Sequence, residues 1–166
     1  MINNKIKHYV KEIISFLILL FIISNIVSYY NAMELNKTKL DSNISLYSTL
    51  GYDKVDKPIL VHFWGSWCPI CKVEAPNIQS IYKSNKYNVI TIAVNSGNDT
   101  AIQKYLDDNN LDFKVINNKD SFYANEFNIK VFPTTLIYDK DKNLIFSEVG
   151  YTSTLGLKLR LWWVGL

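Results

Sequence analysis

The chain of 166 residues contains only two cysteines, two histidines and one arginine. A structural zinc site usually takes about four Cys or His ligands arranged in two pairs. The scarcity of both residue types leaves metal binding as a minor alternative. The formal net charge is +3 and no basic cluster stands out, so nothing indicates nucleic-acid binding. Internal repeats and low-complexity segments are lacking as well.

The two cysteines, Cys68 and Cys71, are separated only by Pro69 and Ile70. Two cysteines placed at random would show this spacing about once in a hundred, so the spacing is a signal. The preceding run, residues 58–64, is short, β-branched and aromatic, which predicts a buried strand. The following residues predict a helix. The dithiol is therefore expected where a strand ends and a helix begins.

This placement has a chemical consequence for the first thiol. Thiolates are the nucleophiles of disulfide exchange, and a helix start offers unpaired N–H groups and the positive end of the helix dipole. We expect the pKa of Cys68 to be lowered near the N-cap, with Pro69 near the first helical position, where proline is tolerated best. Cys71, one turn further, is expected to be more buried and to act as the resolving thiol.

A static structural disulfide is the competing interpretation of the pair. A bond that closes so short a loop removes little chain entropy from the unfolded state. The aromatic residues beside the pair also favour an exposed, reactive dithiol over a purely structural one.

The first part of the chain predicts a membrane anchor. Residues 1–12 are polar with three lysines, and residues 13–30 carry no charge. Eighteen helical residues extend about 27 Å, enough for the hydrocarbon core of a bilayer. The lysines place the N-terminus in the cytoplasm by the positive-inside rule and the remainder outside. A cleaved signal peptide and a buried core helix are the alternatives.

The expected organisation is a cytoplasmic tail over residues 1–12, a transmembrane anchor over 13–30, a linker over 31–43 and one domain over 44–166. Within the domain the expected order of elements is β-β-α-β-α-β-α-β-β-α, which indicates the α/β class with a mixed sheet. The predicted strands cover residues 44–50, 58–64, 88–95, 113–116, 134–138 and 144–149, and the predicted helices cover 72–82, 99–109, 121–127 and 152–164.

Several segments resemble thioredoxin-fold proteins. Residues 63–71, Phe-Trp-Gly-Ser-Trp-Cys-Pro-Ile-Cys, look like the active-site segment of that fold, and Pro76 matches the proline that kinks its active-site helix. Residues 131–135, Val-Phe-Pro-Thr-Thr, match its cis-proline segment. Glu74 matches an acidic residue of the membrane-anchored TlpA, ResA and CcmG types.

The resemblance covers roughly residues 44–163 and implies a thioredoxin fold with a TlpA-like insert. Residues 150–163 are similar to the C-terminal run of the suppressor-for-copper-sensitivity protein D group, the one hint of a narrower subfamily.

The resemblance also implies roles for the residues around the dithiol. Pro133, preceded by a cis peptide bond, would leave the backbone of Phe132 free to pair with a substrate and keep metals from the sulfurs. Trp67 would shield Cys68 and offer partners a surface together with Pro69 and Ile70, although plain packing is the simpler interpretation of Trp67.

Two further residues lie near the site by analogy. Glu74 would raise thiol pKa values through like-charge repulsion, unless it is simply solvated. His62 stands where cytosolic thioredoxins carry a buried aspartate, which departs from the pattern. A histidine there would relay a proton to and from Cys71; the alternative is an ordinary strand histidine.

The last predicted helix combines basic and aromatic residues: Lys158, Arg160, Trp162 and Trp163. They would contact the membrane surface or a partner, or the helix would simply cap the sheet.

Together these features predict a thiol–disulfide oxidoreductase of the bacterial inner membrane that faces the periplasm, with reduction slightly favoured. No cofactor is needed. The expected partners are exported cysteine-containing proteins and a membrane donor of electrons. A peroxiredoxin-type peroxidase would want a Thr-x-x-Cys motif and a nearby arginine, but position 65 is Gly and the sole arginine is Arg160. A copper-binding protein of the same fold is the other alternative, with His62 as its one extra ligand candidate.

Overall fold

The computed structural model describes residues 8–16, 18–19, 22–23, 26 and 56–166. The described residues before position 30 are helical and exposed. Within the described ranges, no helix combines the length and apolar character needed to cross a membrane. The predicted strand over 44–50 and the linker over 31–43 lie outside the described residues, as does much of the predicted anchor over 13–30.

Residues 56–166 form a mixed five-stranded sheet whose strands lie in the order β3-β2-β1-β4-β5. The parallel pairs are β1 with β2 and β2 with β3, whereas β4 runs antiparallel to both β1 and β5. The strands are β1 (Ile59–Trp64), β2 (Asn88–Val94), β3 (Val115–Asn118), β4 (Thr134–Tyr138) and β5 (Leu144–Val149). This arrangement confirms the predicted α/β class with a mixed sheet.

The same region contains four helices, named in chain order α1 (Pro69–Lys83), α2 (Asp99–Asp108), α3 (Phe122–Glu126) and α4 (Thr154–Val164). Polar side chains begin two of them, since Asn98 accepts a hydrogen bond from the backbone of Ala101 and Ser153 accepts one from Gly156. The elements predicted from residue 58 onward are all present. β4 and β5 have the predicted bounds, and the others differ at one or both ends.

One element is displaced as a whole: the prediction places β3 over residues 113–116, and the structure has it two residues later. Phe113 is 3% exposed but lies outside β3. It packs in the core against Trp64, and the two rings meet edge-on. The strand itself is set by pairing with β2, from Thr91 opposite Val115 to Val94 opposite Asn118. Asparagine is depleted in strands, so the local sequence does not signal this end of β3.

Alternation along β1 divides the core between the two faces of the sheet. Ile59, Val61 and Phe63 face one side, where α3 covers them. Leu60 and Trp64 face the other side, which α1, α2 and α4 cover. His62 has the same parity as Leu60, so it lies on the face covered by α1, the helix that carries both cysteines.

Candidate active site

The two cysteines lie at the start of α1, directly after β1. They form a disulfide with their Cα atoms 5.3 Å apart. Cys68 is the N-cap residue in an extended conformation, and its sulfur accepts a hydrogen bond from the backbone N of Cys71 at 3.2 Å. Pro69 is the first helical residue, and Cys71 is 1% exposed against 6% for Cys68. The predicted placement of the dithiol at a helix start is confirmed.

The loop before β4 faces this dithiol. The peptide bond between Phe132 and Pro133 is cis, as expected. The sulfur of Cys68 lies 3.8 Å from the carbonyl oxygen of Phe132. Backbone contacts fix the loop, because the Pro133 carbonyl accepts a hydrogen bond from Gly150 N at 2.8 Å. The backbone of Phe132 therefore lies beside the sulfur of Cys68.

Trp67 is exposed but held in place. Its indole Nε1 donates to the carbonyl of Val94 at 3.1 Å, and its ring meets that of Phe132 edge-on at 5.5 Å. A β-carbon at Gly65 would lie 2.5 Å from the indole, so only glycine allows this approach. The indole is thus a fixed surface beside Cys68, and its contact with partners stays a prediction.

Two more apolar side chains are exposed on the first turns of α1. Ile70 is 51% exposed and Val73 is 66% exposed, one turn apart on α1. Val73 was not among the predicted site residues, although its spacing of three from Ile70 is the signal that would have found it. The start of α1 therefore carries exposed apolar side chains next to the dithiol in the sequence.

Glu74 is completely buried, one turn after Cys71 on the same helix. Its Oε1 accepts a hydrogen bond from the backbone N of Thr152 at 3.0 Å. Burial raises the pKa of Glu74 from 4.5 to about 8; the Thr152 hydrogen bond opposes the rise and the charge of Glu148 adds to it. The carboxyl is therefore mostly protonated at neutral pH. The expected like-charge repulsion of a thiolate needs the ionised form, so it operates fully only above that pKa.

An ion pair that the sequence did not reveal lies on the same side of the sheet. The Nε of Arg160 on α4 is 2.6 Å from Oε1 of Glu148 on β5. Arg160 also donates through Nη1 to the carbonyl of Gly156. Nothing local links a strand residue to a helix residue twelve positions later, so only the packing of α4 on β5 brings the pair together. The sole arginine of the chain therefore contacts Glu148 and Gly156 and not the dithiol.

His62 is buried beneath α1, 2% exposed. Its Nδ1 and the hydroxyl of Thr135 on β4 are hydrogen-bonded at 2.9 Å. Burial lowers the pKa of His62 from 6.5 to about 3, so the imidazole is neutral and weakly basic at neutral pH. Proton transfer between His62 and Cys71 stays a prediction, and it has to overcome this desolvation.

Within the part of the chain that the structure describes, no three His, Cys, Asp or Glu side chains are grouped so as to hold a metal ion.

A buried dithiol at a helix N-terminus, opposite a cis-proline loop on a mixed sheet, defines a thioredoxin-like thiol–disulfide oxidoreductase. The chain belongs to the AhpC/TSA family, whose model matches residues 31–147. It is 33% identical over 162 residues to a thioredoxin-like protein of Haemophilus influenzae, covering 95% of each chain. It is 31% identical over 111 residues to sporulation thiol–disulfide oxidoreductase A of Bacillus subtilis, covering 64% of this chain and 67% of that protein.

Solved structures share the fold. A secreted Mycobacterium tuberculosis disulfide oxidoreductase, described as homologous to Escherichia coli DsbE, matches with a TM-score of 0.58 and 26% identity, over 65% of this chain and 81% of that one. StoA from Bacillus subtilis matches with a TM-score of 0.58 and 24% identity, over 64% of this chain and 83% of that one.

Proposed function

We propose that this oxidoreductase is anchored in the bacterial inner membrane, faces the periplasm and reduces disulfides in exported proteins. The observation that carries the proposal is the position of Cys68, whose sulfur caps α1 beside the Phe132 carbonyl. A substrate backbone lying along that loop would bring its disulfide to the sulfur of Cys68, the less buried of the two cysteines.

The reaction consists of two thiol–disulfide exchanges. In the reduced protein the Cys68 thiolate attacks one sulfur of the substrate disulfide, and the other substrate sulfur leaves as a thiolate that takes up a proton. The Cys71 thiolate then attacks Cys68 Sγ, which breaks the mixed disulfide and releases the second substrate thiol. Two electrons have moved to the substrate, and the Cys68–Cys71 disulfide must be reduced again by a dithiol donor in the membrane.

The reducing direction is supported by the surroundings of the sulfurs. Oxidants of this fold are those whose reduced form is stabilised as a thiolate. Cys68 has one such stabilising contact, the hydrogen bond from the helix N–H of Cys71 to its sulfur, which by itself favours the oxidising direction. Glu74, one turn behind, is fully buried with a pKa raised to about 8, so it repels a thiolate only as it ionises above neutral pH. Cys71 is 1% exposed, and this burial disfavours its thiolate, which supports electron donation.

Anchoring is supported by the uncharged run of residues 13–30 behind three lysines. With the lysines inside, the dithiol would lie outside the cytoplasm, where proteins form disulfides. Alkaline phosphatase fused after residue 43 tests the orientation. The enzyme is expected to be active, since it needs an oxidising compartment, and an inactive but expressed fusion would contradict the periplasmic location.

The substrate class is tested by trapping. In cells, a Cys71→Ser full chain is expected to accumulate mixed disulfides through Cys68, because no resolving thiol remains. Exported proteins with cysteines should be the trapped partners. A Cys68→Ser chain, the matched control, should trap none. Equal trapping by both variants, or by neither, would contradict the proposed exchange.

The similarity of residues 150–163 to the suppressor-for-copper-sensitivity protein D group supports a task in copper tolerance as the finer proposal. Loss of copper resistance in a strain with Cys68→Ser tests that task. A copper-binding protein is the second candidate, with the dithiol and His62 as ligands. His62 is bonded to Thr135 and 2% exposed, which does not favour it. Stoichiometric copper binding by the reduced chain would support this candidate.

A further inference from the structure

Helix α4 presents apolar side chains in two directions. Leu157 and Leu161 are fully buried against the sheet and α1. Leu155 and Leu159 are 67% and 56% exposed. The helix therefore caps the sheet as one of the two sequence interpretations expected, but it also carries a second apolar face that no described residue covers.

This second face is continuous along the helix and ends in two tryptophans. Leu155, Leu159 and Trp162 follow the spacing i, i+4, i+7, so they form one stripe. Trp162 is 58% exposed and Trp163, four residues after Leu159, is 64% exposed. A contiguous exposed stripe of this kind marks a contact surface. We refer to Leu155, Leu159, Trp162 and Trp163 as the α4 outer face.

The tryptophan end of the α4 outer face lies where the chain enters the domain. A β-carbon at Gly165 would lie 3.6 Å from Cγ of Pro58, so the end of α4 and the residue before β1 are side by side. Residues 31–55 connect this point to the uncharged run. Cys68 follows the opposite end of β1, roughly 20 Å away for a six-residue strand. A contact at the tryptophan end therefore leaves the dithiol accessible.

The charges of α4 suit a lipid surface. The helix contains no acidic residue, and its exposed cation is Lys158. Arg160 is already paired with Glu148. Tryptophan prefers the membrane–water interface because its ring is amphipathic, and an interfacial helix combines a basic residue with Trp and Leu. With one free cation the contact would depend on apolar burial more than on lipid charge.

We propose that the α4 outer face rests on the surface of the bilayer, with Trp162 and Trp163 at head-group depth and the dithiol directed away from the membrane. This inference rests on the anchoring proposed above. It adds a second contact between the domain and the bilayer, which fixes the height and orientation at which Cys68 meets exported proteins.

Brominated lipids test the contact in the full chain. The protein is reconstituted in vesicles of phosphatidylethanolamine and phosphatidylglycerol, with and without lipids brominated near the head group, and tryptophan emission is recorded. Two of the four tryptophans are on the α4 outer face, so bromination is expected to remove roughly half of the emission. Replacing phosphatidylglycerol with a neutral lipid should change the quenching little.

A Trp162→Phe/Trp163→Phe chain should lose the quenchable emission and keep its fold, since both side chains are exposed. The matched control is Trp67→Phe, which removes an exposed tryptophan at the opposite end and should leave the quenching intact. Equal quenching in wild type and the double variant would overturn the proposal. Blue-shifted but unquenched emission would also overturn it, since protein would then cover the face.

Extraction of the same vesicles with alkaline carbonate tests the anchor separately. A chain that resists extraction but is not quenched contradicts only the α4 contact. A chain that is quenched before the wash and released by it supports the contact and contradicts the anchor.

Discussion

The carboxyl of Glu74 receives one hydrogen bond at Oε1, from the backbone N of Thr152, while Oε2 is buried with no hydrogen-bond partner among the described residues. Thr152 lies directly before the cap of α4, so this bond joins the cysteine helix to the last helix. An ionised carboxylate accepts hydrogen bonds at both oxygens, and leaving one unmet is costly. The arrangement therefore suits the neutral acid, in agreement with a pKa raised to about 8.

Glu74 makes the folded state less stable as pH rises. The pKa is 4.5 when unfolded and about 8 when folded, so the folded state holds more protons between these values. We predict that the free energy of unfolding falls between pH 6.5 and 8 by at most about 1.4 kcal/mol per pH unit. Urea unfolding of the full chain in detergent measures it. In a Glu74→Gln variant the free energy of unfolding should change less over this pH range. An unchanged slope would contradict the assignment of the pH dependence to Glu74.

His62 should act in the opposite direction at acid pH. Its pKa of about 3 when folded and 6.5 when unfolded means that the unfolded state takes up a proton first as pH falls. The Glu74 and His62 effects oppose each other between pH 4.5 and 6.5, so stability should be nearly level there and fall below it. His62→Gln keeps a hydrogen-bonding group for Thr135. The fall in the free energy of unfolding at acid pH should be absent from this variant. If that variant loses stability at acid pH as the wild type does, the loss comes from a group other than His62.

The proton relay of His62 has its own test. If His62 accepts the Cys71 proton, His62→Ala should slow resolution of the mixed disulfide and displace the pH–rate profile toward higher pH. The step is measured by stopped-flow quenching with a disulfide peptide. An identical profile in variant and wild type would leave His62 as a buried structural residue.

Gly65 should matter through Trp67. A Gly65→Ala side chain would collide with the indole and displace it from Val94 and Phe132. We predict a several-fold rise in KM for a protein disulfide and little change for a small disulfide such as oxidised glutathione, because only the larger substrate needs the indole surface. Comparable loss for both substrates would mean that the dithiol itself has moved. Trp67→Phe, the companion variant, should reproduce the KM effect.

Local patterns predicted most elements of the described domain. The apolar runs of β1 and β2 are short and uninterrupted, as in buried strands, and Cys68 with Pro69 matches the chemistry of a helix start. The two-residue shift of β3 was not predicted because asparagine has little preference of its own for strands. Asn117 and Asn118 are in β3 because they pair with β2.

The parts of the site that escaped prediction depend on contacts between distant segments. The pairing of Glu148 with Arg160 arises when α4 packs on β5. Glu74 accepts its hydrogen bond from Thr152, which is far away in the sequence, and the burial that raises its pKa depends on tertiary packing. Neither interaction leaves a spacing or composition signal near the residues concerned.

The reduction potential of the Cys68–Cys71 pair shows whether the protein donates electrons to disulfides or donates disulfides to thiols. The full chain is equilibrated in detergent with glutathione buffers, and the dithiol and disulfide forms are separated after alkylation, with Cys68→Ser and Cys71→Ser as blanks. We predict a value nearer the thioredoxin end, about −270 mV, because the burial of Cys71 disfavours a thiolate in the reduced pair. A value near the oxidising end, about −120 mV, would contradict it and make the protein a donor of disulfides.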